Sequence, residues 1–316
     1  MDLSIVISLY NEVESLPELV SWIHRALEGQ GLEYEIIMVD DGSTDGSWDF
    51  ISKACAEDNR IHGIRFRRNY GKSAALYCGF DAACGDIVVT MDADLQDSPE
   101  EIPEMIRMIR EDGYDLVSGW KQKRHDNVLM KNIPSKIYNS TARRVTGLKL
   151  HDMNCGLKAY RKDVVKNIEV YGEMHRFIPY LAKNAGFLNI GEKVVHHQAR
   201  KYGKSKFGMN RFIHGFLDLL SIWFLQVFGK KPMHLFGAMG VITFLIGAVI
   251  AIWLIIDKLV SQAHGSYFRA VTDQPLFYLA LVAVVLGAML FLTGFLGELI
   301  ARNAPERNRY NIRERL

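Results

Sequence analysis

Cysteine is scarce: Cys55, Cys78, Cys84 and Cys155 are the only four, and they form no Cys-x-x-Cys pair and no metal-ligand spacing. This argues against a disulfide-stapled fold or a thiolate zinc site and fits reduced, mostly buried thiols in a cytoplasmic domain. Net charge is nearly absent as well, at +2 from 38 basic and 36 acidic residues. No electrostatic case for binding nucleic acid follows from that balance, and there is no acidic tail. A signal peptide is not expected, because Leu3–Leu9 reads as a strand and lacks a basic leader and a cleavage site. Internal repeats and low-complexity segments are missing too.

Charge is missing most tellingly in two windows. Pro232–Ile256 carries no charged residue, and neither does the run "PLFYLALVAVVLGAMLFLTGFLG" from Pro275 to Gly297. A helix needs roughly 20 apolar residues to cross the hydrocarbon core, and each window is long enough. Two such windows joined by a short linker predict a transmembrane hairpin over 232–300. Lys230 and Lys231 precede the first span, and Arg302, Arg307, Arg309, Arg313 and Arg315 follow the second. The connecting loop offers only Lys258 and Arg269, so both termini are expected in the cytoplasm. Residues 301–316 read as a basic cytoplasmic tail. Residues 207–231 are strongly apolar but interrupted by Arg211, His214, Asp218 and Gln226, the pattern of an interfacial amphipathic segment on the cytoplasmic leaflet. Glycines in both spans (Gly237, Gly240, Gly247; Gly287, Gly294, Gly297) allow close packing within the hairpin or between copies in a homo-oligomer.

The charged, periodic part of the chain, residues 1–206, reads as one α/β domain. Short apolar runs ("LSIVISL", "YEIIMVD", "IHGIRF", "DIVVTMD", "YDLVSGW") alternate with helical stretches, which predicts βαβ units and a mostly parallel sheet covered on both faces. Ser15 and Glu18 have the spacing of a capping box, and Ser98, Pro99 and Glu101 look like a second helix start. Beyond Trp120 the pattern loosens and becomes basic, then turns strand-like again around "NCGLKAYR" and "GEKVVHHQAR".

Polar clusters fall where such sheets bind ligands, at the carboxyl ends of the strands: Tyr10–Glu12, Asp40–Asp45 and Asp92–Gln96. Asp92 and Asp94 stand two residues apart just past a strand, and Gln96 adds a neutral oxygen on the same side. Hard divalent ions take one or two such ligands from protein and the rest from phosphates and water. In "VDDGSTDGS", Asp40 and Asp41 can accept from base N–H or ribose hydroxyl groups, and Gly42 and Gly46 let the loop approach a ligand closely. Its acids disfavour phosphate at that point.

The stretches "SLYNE" (8–12), "VDDGSTDGS" (39–47), "RNYGKSAAL" (68–76), "DADLQDSPEEIP" (92–103), "GLKAYRKDV" (156–164) and "RKYGKSKFG" (200–208) resemble the family 2 glycosyltransferases. More narrowly they are similar to the polyprenyl-phosphate glycosyltransferases, whose bacterial members end in a comparable two-span tail. The resemblance covers about residues 3–208. It implies a GT-A fold, a nucleotide sugar linked to UDP or GDP, Mg²⁺ or Mn²⁺, and a polyprenyl phosphate acceptor, undecaprenyl phosphate by the form of the tail. It places Ser8, Tyr10 and Glu12 near the nucleotide, Asp40 or Asp41 on base or ribose, and Lys72 near the donor. Asp92, Asp94 and Gln96 would hold metal and diphosphate. The acceptor phosphate would meet Lys121, Lys131, Ser135 and Arg200, with Ser205 and Lys206 alongside. Lys121 and Lys131 stand where several relatives carry arginine, keeping charge but losing bidentate geometry.

Physical chemistry agrees with that division of labour. A phosphate monoester has a second pKa near ~6, so the acceptor is largely ionised and needs cationic cradling more than a general base. The basic run from Lys121 to Arg144 and the Arg200–Lys206 stretch supply it, although a solvated basic face drawn to anionic lipid has the same composition. Asp152 is a candidate for an acceptor-side role or an ordinary turn aspartate. His175, His196 and His197 read as packing or strand-end histidines. A processive polysaccharide synthase would need a Gln-x-x-Arg-Trp motif, and no Arg-Trp dipeptide occurs. A non-catalytic nucleotide-sugar-binding scaffold or flippase subunit would have no need of both the acidic set and the basic cluster.

Overall fold

In the computed structural model, residues 1–122, 143, 146–199, 201–202, 232–264, 270–302 and 312–315 are described. They fall into two units, Met1–Leu219 with Arg307–Leu316, and Leu220–Glu306. In the first, the alternating apolar runs form β1 (Leu3–Leu9), α1 (Leu16–Leu27), β2 (Tyr34–Asp40), α2 (Ser47–Glu57), β3 (Ile61–Phe66), α3 (Lys72–Ala82), β4 (Ile87–Asp92), α4 (Ile102–Arg110) and β5 (Leu116–Trp120). Then come β6 (Lys158–Arg161), α5 (Lys162–Lys166), α6 (Ile178–Asn184) and β7 (Ile190–Val194). Single 3₁₀ turns, Pro99–Glu101 and Met174–Phe177, lead into α4 and α6.

With a last short strand, β8 (Ile312–Arg315), the sheet runs β7-β5-β6-β4-β1-β2-β3-β8. Its centre, β4-β1-β2-β3, is parallel throughout, as the βαβ alternation requires. Because both faces are covered, these strands are apolar on both sides rather than alternating. Ile5, Ile7, Ile36 and Met38 pack beneath α1, α2 and α4. Val6, Ile37, Val39 and Val88 pack beneath α3, α5 and α6.

Two antiparallel strands depart from the expected order. β6 inserts between β4 and β5, pairing Thr90 with Lys158 on one side and Ser118 with Lys158 on the other. β5 therefore never meets β4. The second is β8 (Ile312–Arg315), which lies in the segment expected to be only a basic tail. It pairs antiparallel with the edge strand β3, and Trp48 Nε1 donates to Glu314 Oε2 at 3.2 Å. An exposed sheet edge offers unpaired N–H and C=O groups, so a nearby apolar-charged segment gains by adding to it.

The helix starts also differ in detail. Ser15 makes no side-chain cap, donating instead to the Glu12 carbonyl at 2.9 Å, and Glu18 is taken by Lys201. Ser98 does cap, accepting from Glu100 N–H at 3.3 Å with Pro99 next in line, but Glu101 turns away to Lys193 and His196. All four cysteines are free.

The second unit contains α7 (Pro232–Ala263) and α8 (Pro275–Arg302), both long and apolar enough to cross a membrane. At 1.5 Å per residue they extend about 48 and 42 Å. Their outer surfaces are apolar: Ile242, Val249, Trp253, Val282, Met289 and Leu296 are all exposed. The helices pack on each other through the predicted glycines. A Cβ on Gly240 would sit 2.7 Å from the Gly287 carbonyl oxygen, and one on Gly287 would sit 2.5 Å from the backbone nitrogen of Phe244. Small residues thus let the two backbones meet, as in membrane helix pairs. The expected interfacial segment 207–231 lies outside the described residues.

Candidate active site

The sheet register brings the polar strand ends together. Ser8 is level with Asp92 across β1 and β4, and Leu9 is level with Asp40 across β1 and β2. The loops beyond are laced by side chains. Asn11 adopts a left-handed φ of 53°, a conformation asparagine tolerates better than most residues. Its backbone N–H donates to Ser43 Oγ at 2.8 Å, and its Oδ1 accepts from Thr44 N–H at 2.8 Å. Glu12 N–H donates to Ser47 Oγ, and Val13 N–H to Asp45 Oδ2, both at 3.1 Å. Tyr10 and Glu12 are half-buried beside this lattice.

Asp40 and Asp41 are both buried. Asp40 Oδ1 accepts from Ser43 N–H at 2.9 Å, and Arg65 stands 3.6 Å from Oδ2. Burial still holds its pKa above the ordinary carboxylate value. Asp41 accepts from Tyr70 N–H at 2.6 Å and Gly71 N–H at 2.9 Å. Burial, reinforced by the neighbouring Asp40 and only partly offset by these amides, raises its pKa to about 6. Gly42 has a different reason from the one expected. With φ at 77°, its α-carbon packs on Arg68, where a Cβ would come 2.7 Å from backbone carbon. The glycine closes the loop against the β3–α3 connection.

Past β4 the side chains alternate: Asp92, Asp94 and Gln96 are half-exposed, whereas Ala93, Leu95 and Asp97 are buried. Leu95, with φ at 60°, bends the segment. Gln96 N–H donates to Asp94 Oδ1 at 3.2 Å. Asp92 behaves differently from Asp94, because its carboxylate is in direct contact with the Lys72 ammonium at the start of α3. Burial pushes the Asp92 pKa up, but Lys72 overrides it and brings the value to about 2. Gly156 makes room for this carboxylate, since a Cβ there would lie 2.5 Å from Asp92 Oδ2. As a metal site, Asp94 and Gln96 offer hard oxygen donors on one exposed side, and Asp92 stands beside them on the Lys72 pair. Among the described residues no group of three His, Cys, Asp or Glu side chains converges. The donor set is therefore partial, which suits a Mg²⁺- or Mn²⁺-like ion completed by phosphate oxygens and water.

Of the residues expected to meet the acceptor, Lys121 lies at the end of β5 with its ammonium 2.6 Å from the fully buried Asp97. Burial works against its charge, but Asp97 more than compensates and raises its pKa. Asp152 is buried, its N–H donating to Glu192 at 3.0 Å and its Oδ1 accepting from Asn154 N–H at 3.1 Å. Those bonds are a turn aspartate's. Next to it His151 stacks on Trp120, ring centroids 4.1 Å apart. Lys131, Ser135, Arg200, Ser205 and Lys206 lie outside the described residues. The neighbours of Arg200 are nevertheless anchored. Gln198 N–H donates to the Gln96 carbonyl at 2.9 Å, Asp97 and His197 form a β-bridge, and Lys201 and Tyr202 reach Glu18 at 2.7 and 3.1 Å.

Two residues near the centre were not singled out as ligand-facing by the sequence. His175, expected to be a packing residue, borders the same cavity as Lys72 and Asp92, with Ser73 Oγ 3.1 Å from its Nδ1. Burial and the nearby Lys72 hold its pKa well below the usual value, so the ring is neutral. Lys158 is buried in the sheet, where burial lowers its pKa, and its ammonium donates to the Cys155 carbonyl. The only signal for it in the sequence is a lysine inside a strand-like run. His196, in contrast, is a strand-end residue, bound to Glu101 at 2.8 Å.

A mostly parallel sheet between two helical layers, with acidic strand ends and an antiparallel insertion, is the GT-A-type architecture. Solved structures bear this out. Mannosyl-3-phosphoglycerate synthase from Rubrobacter xylanophilus superposes with a TM-score of 0.56 at 15% identity, covering 72% of this chain and 74% of that one. Glucosyl-3-phosphoglycerate synthase from Mycobacterium tuberculosis, in complex with UDP, gives 0.54 at 20% identity, covering 70% and 80%. Residues 4–169 match the family described as "Glycosyl transferase family 2". Dodecaprenyl-phosphate galacturonate synthase from Rhizobium johnstonii is 35% identical over 96% of this chain and 88% of its own length. Undecaprenyl-phosphate 4-deoxy-4-formamido-L-arabinose transferase from Shewanella sediminis is 36% identical over 98% and 91%. The chain belongs to glycosyl transferase family 2.

Proposed function

We propose that the chain transfers a sugar from a nucleotide sugar to a polyprenyl phosphate, giving a polyprenyl-phospho-sugar on the cytoplasmic leaflet. The carrying observation is the pairing of Gln198 N–H with the Gln96 carbonyl. It lays Gln198, two residues before Arg200 in the sequence, beside the Asp94/Gln96 segment, which supports a reading in which acceptor and donor phosphates meet there. Near-full-length similarity to transferases named for dodecaprenyl and undecaprenyl phosphate supports the same acceptor class. Those relatives are named for different sugars, so the acceptor follows from them and the sugar does not.

The reaction is an in-line displacement with inversion. A lipid phosphate oxygen forms the new bond to the anomeric carbon as the bond to the nucleoside diphosphate breaks. Asp40 and Asp41 fix the nucleoside, Asp94 and Gln96 would hold the divalent ion, and Lys72, paired with Asp92, would turn to a diphosphate oxygen. The bound cation supplies electrostatic stabilisation of the leaving diphosphate. No proton need be abstracted from an ionised phosphate, so positioning and charge complementarity are the chain's own contribution. Lys121 and the basic residues beyond the described segments hold the acceptor.

Both chain ends belong to one unit, and an even number of spans returns the chain to its starting side. Together with the basic flanks this supports cytoplasmic termini. The division into a domain at 1–206, an interfacial segment at 207–231 and a hairpin at 232–300 belongs to the same reading, as does any homo-oligomer formed through the spans. The test is full-length protein in detergent with undecaprenyl phosphate, Mg²⁺ or Mn²⁺ and a panel of nucleotide sugars, read by lipid-product mass. Product should form only with all three components, and Asp94→Asn should abolish it. Wild-type turnover by Asp94→Asn refutes the assignment.

A further inference from the structure

A cavity of about 90 Å³ adjoins Asp92, enclosed by α3, β4, β6 and the Met174–Phe177 turn. Lys72, Asp92, Asn154, Lys158 and His175 contribute polar side chains to its wall. Its charges do not all cancel locally. Lys72 is paired with Asp92, and Arg176 has Glu173 at 3.2 Å. Lys158 is different. It is 3% exposed, hydrogen-bonded to a carbonyl, and among the described residues no carboxylate lies within ion-pair distance. Asp92 and Asp152 act on it only from farther away. A buried cation without a close counter-ion costs several kcal/mol, so a strand interior is a poor place for lysine unless an anion arrives.

His175 adds an imidazole. Ser73 Oγ accepts from the His175 backbone N–H at 3.0 Å and lies 3.1 Å from Nδ1; in the tautomer in which the hydroxyl donates to Nδ1, the ring proton is on Nε2. The Asn154 side-chain oxygen is buried without a hydrogen-bond partner among the described residues; an orphan acceptor serves an anion only once the carboxamide turns over and puts its NH₂ in that place. An ammonium, an imidazole and the NH₂ of that turned carboxamide around a small space match two oxygens sharing one negative charge. A space of this size accommodates a polar ring substituent with its waters displaced.

We propose that this cavity takes a carboxylate carried by the transferred sugar, so that the donor is a nucleotide-linked uronic acid. The inference rests on the transferase reading above and deepens it. A hydroxymethyl group in the same place would leave Lys158 uncompensated, and a site built around a buried polar group rejects the analogue lacking its partner by a large factor.

The experiment has a binding arm and a turnover arm. Thermal shift with UDP-glucuronate, UDP-galacturonate, UDP-glucose and UDP-galactose, without acceptor, reads the cavity directly in the wild-type protein. Both uronates should stabilise more than both hexoses. With undecaprenyl phosphate and Mn²⁺, kcat/KM for the better uronate should exceed that for either hexose by at least about 100-fold. Lys158→Met should collapse that ratio toward one, and Lys158→Arg should keep most of it. Equal shifts for uronates and hexoses overturn the proposal even if Lys158→Met does not fold, and leave the transferase reading standing. A raised KM for undecaprenyl phosphate in Lys158→Met, with donor preference intact, also overturns it by assigning the cation to the acceptor. Uronate-selective binding with no lipid product from any donor would instead refute the transferase reading.

Discussion

Asp41 should give donor binding and folding stability opposite pH dependences across the same interval. Its pKa rises from 3.8 to about 6 in the folded protein, chiefly through burial. Between those values the folded state binds the proton more tightly than the unfolded chain, so stability is highest below about pH 4 and is lost as pH rises through 6. The difference corresponds to a ceiling of about 3 kcal/mol, and to on the order of 1–2 kcal/mol once solvent screening at the loop is allowed for. Donor recognition runs the other way. A carboxylate that accepts from a base or ribose donor must be ionised, so UDP affinity should rise with pH and level off above 7. With a midpoint at 6, about 10% of Asp41 is ionised at pH 5 and about 90% at pH 7. Affinity should therefore change roughly ninefold if protonated Asp41 does not bind. Calorimetric titration with UDP and Mn²⁺ from pH 5 to 8 measures it as the ratio of wild-type to Asp41→Asn affinity, since the terminal phosphate of UDP itself ionises near ~6 in both. A ratio that does not change with pH would refute the role assigned to this carboxylate.

Three further changes probe other parts of the molecule. Gly156→Ala drives a methyl to within 2.5 Å of Asp92 Oδ2; the carboxylate must shift off Lys72, lowering kcat/KM by about 10–100-fold and stability by about 1–3 kcal/mol, measured by steady-state kinetics and denaturant titration. Asp94→Asn should leave melting temperature nearly unchanged while eliminating Mn²⁺-dependent stabilisation by UDP, a readout independent of turnover. Gly287→Leu cannot be accommodated without separating α7 from α8, since its Cβ would already meet Phe244 nitrogen at 2.5 Å. The helical signal of the variant should then melt at a lower temperature in detergent than that of the parent, read by circular dichroism, with UDP affinity of the soluble unit retained.

What could be read from the sequence was local. Strand runs, glycine stops and polar strand ends each depend on a few adjacent residues, and the α/β order, the acidic segment at 92–96 and the two apolar helices appear where their patterns place them. The alternation of Asp92, Asp94 and Gln96 against buried Ala93 and Leu95 is the period-2 rule carried one turn beyond β4. The capping box failed for a related reason. Ser15 and Glu18 have the right spacing, but Lys201, 183 residues away along the chain, competes for the glutamate.

The remainder depended on pairings between distant segments, which no local window contains. β6 carries an ordinary strand signal, yet its place between β4 and β5 is set by pairing with strands distant along the chain. That placement turns Lys158 from a surface-looking lysine into a buried one, and puts Gly156 against Asp92. β8 was hidden by its charge, because "IRER" reads as tail until an open β3 edge is there to receive it. Its position has a consequence for the donor site. Glu314 accepts from Trp48, Arg65 lies over the Trp48 ring at 5.5 Å, and Arg65 reaches Asp40 at 3.6 Å. The segment following the second apolar helix thus ends against residues that border Asp40, the carboxylate proposed to hold the nucleoside. A tail read as electrostatic decoration is part of the sheet that positions the chemistry, and its contribution comes from backbone pairing more than from its net charge.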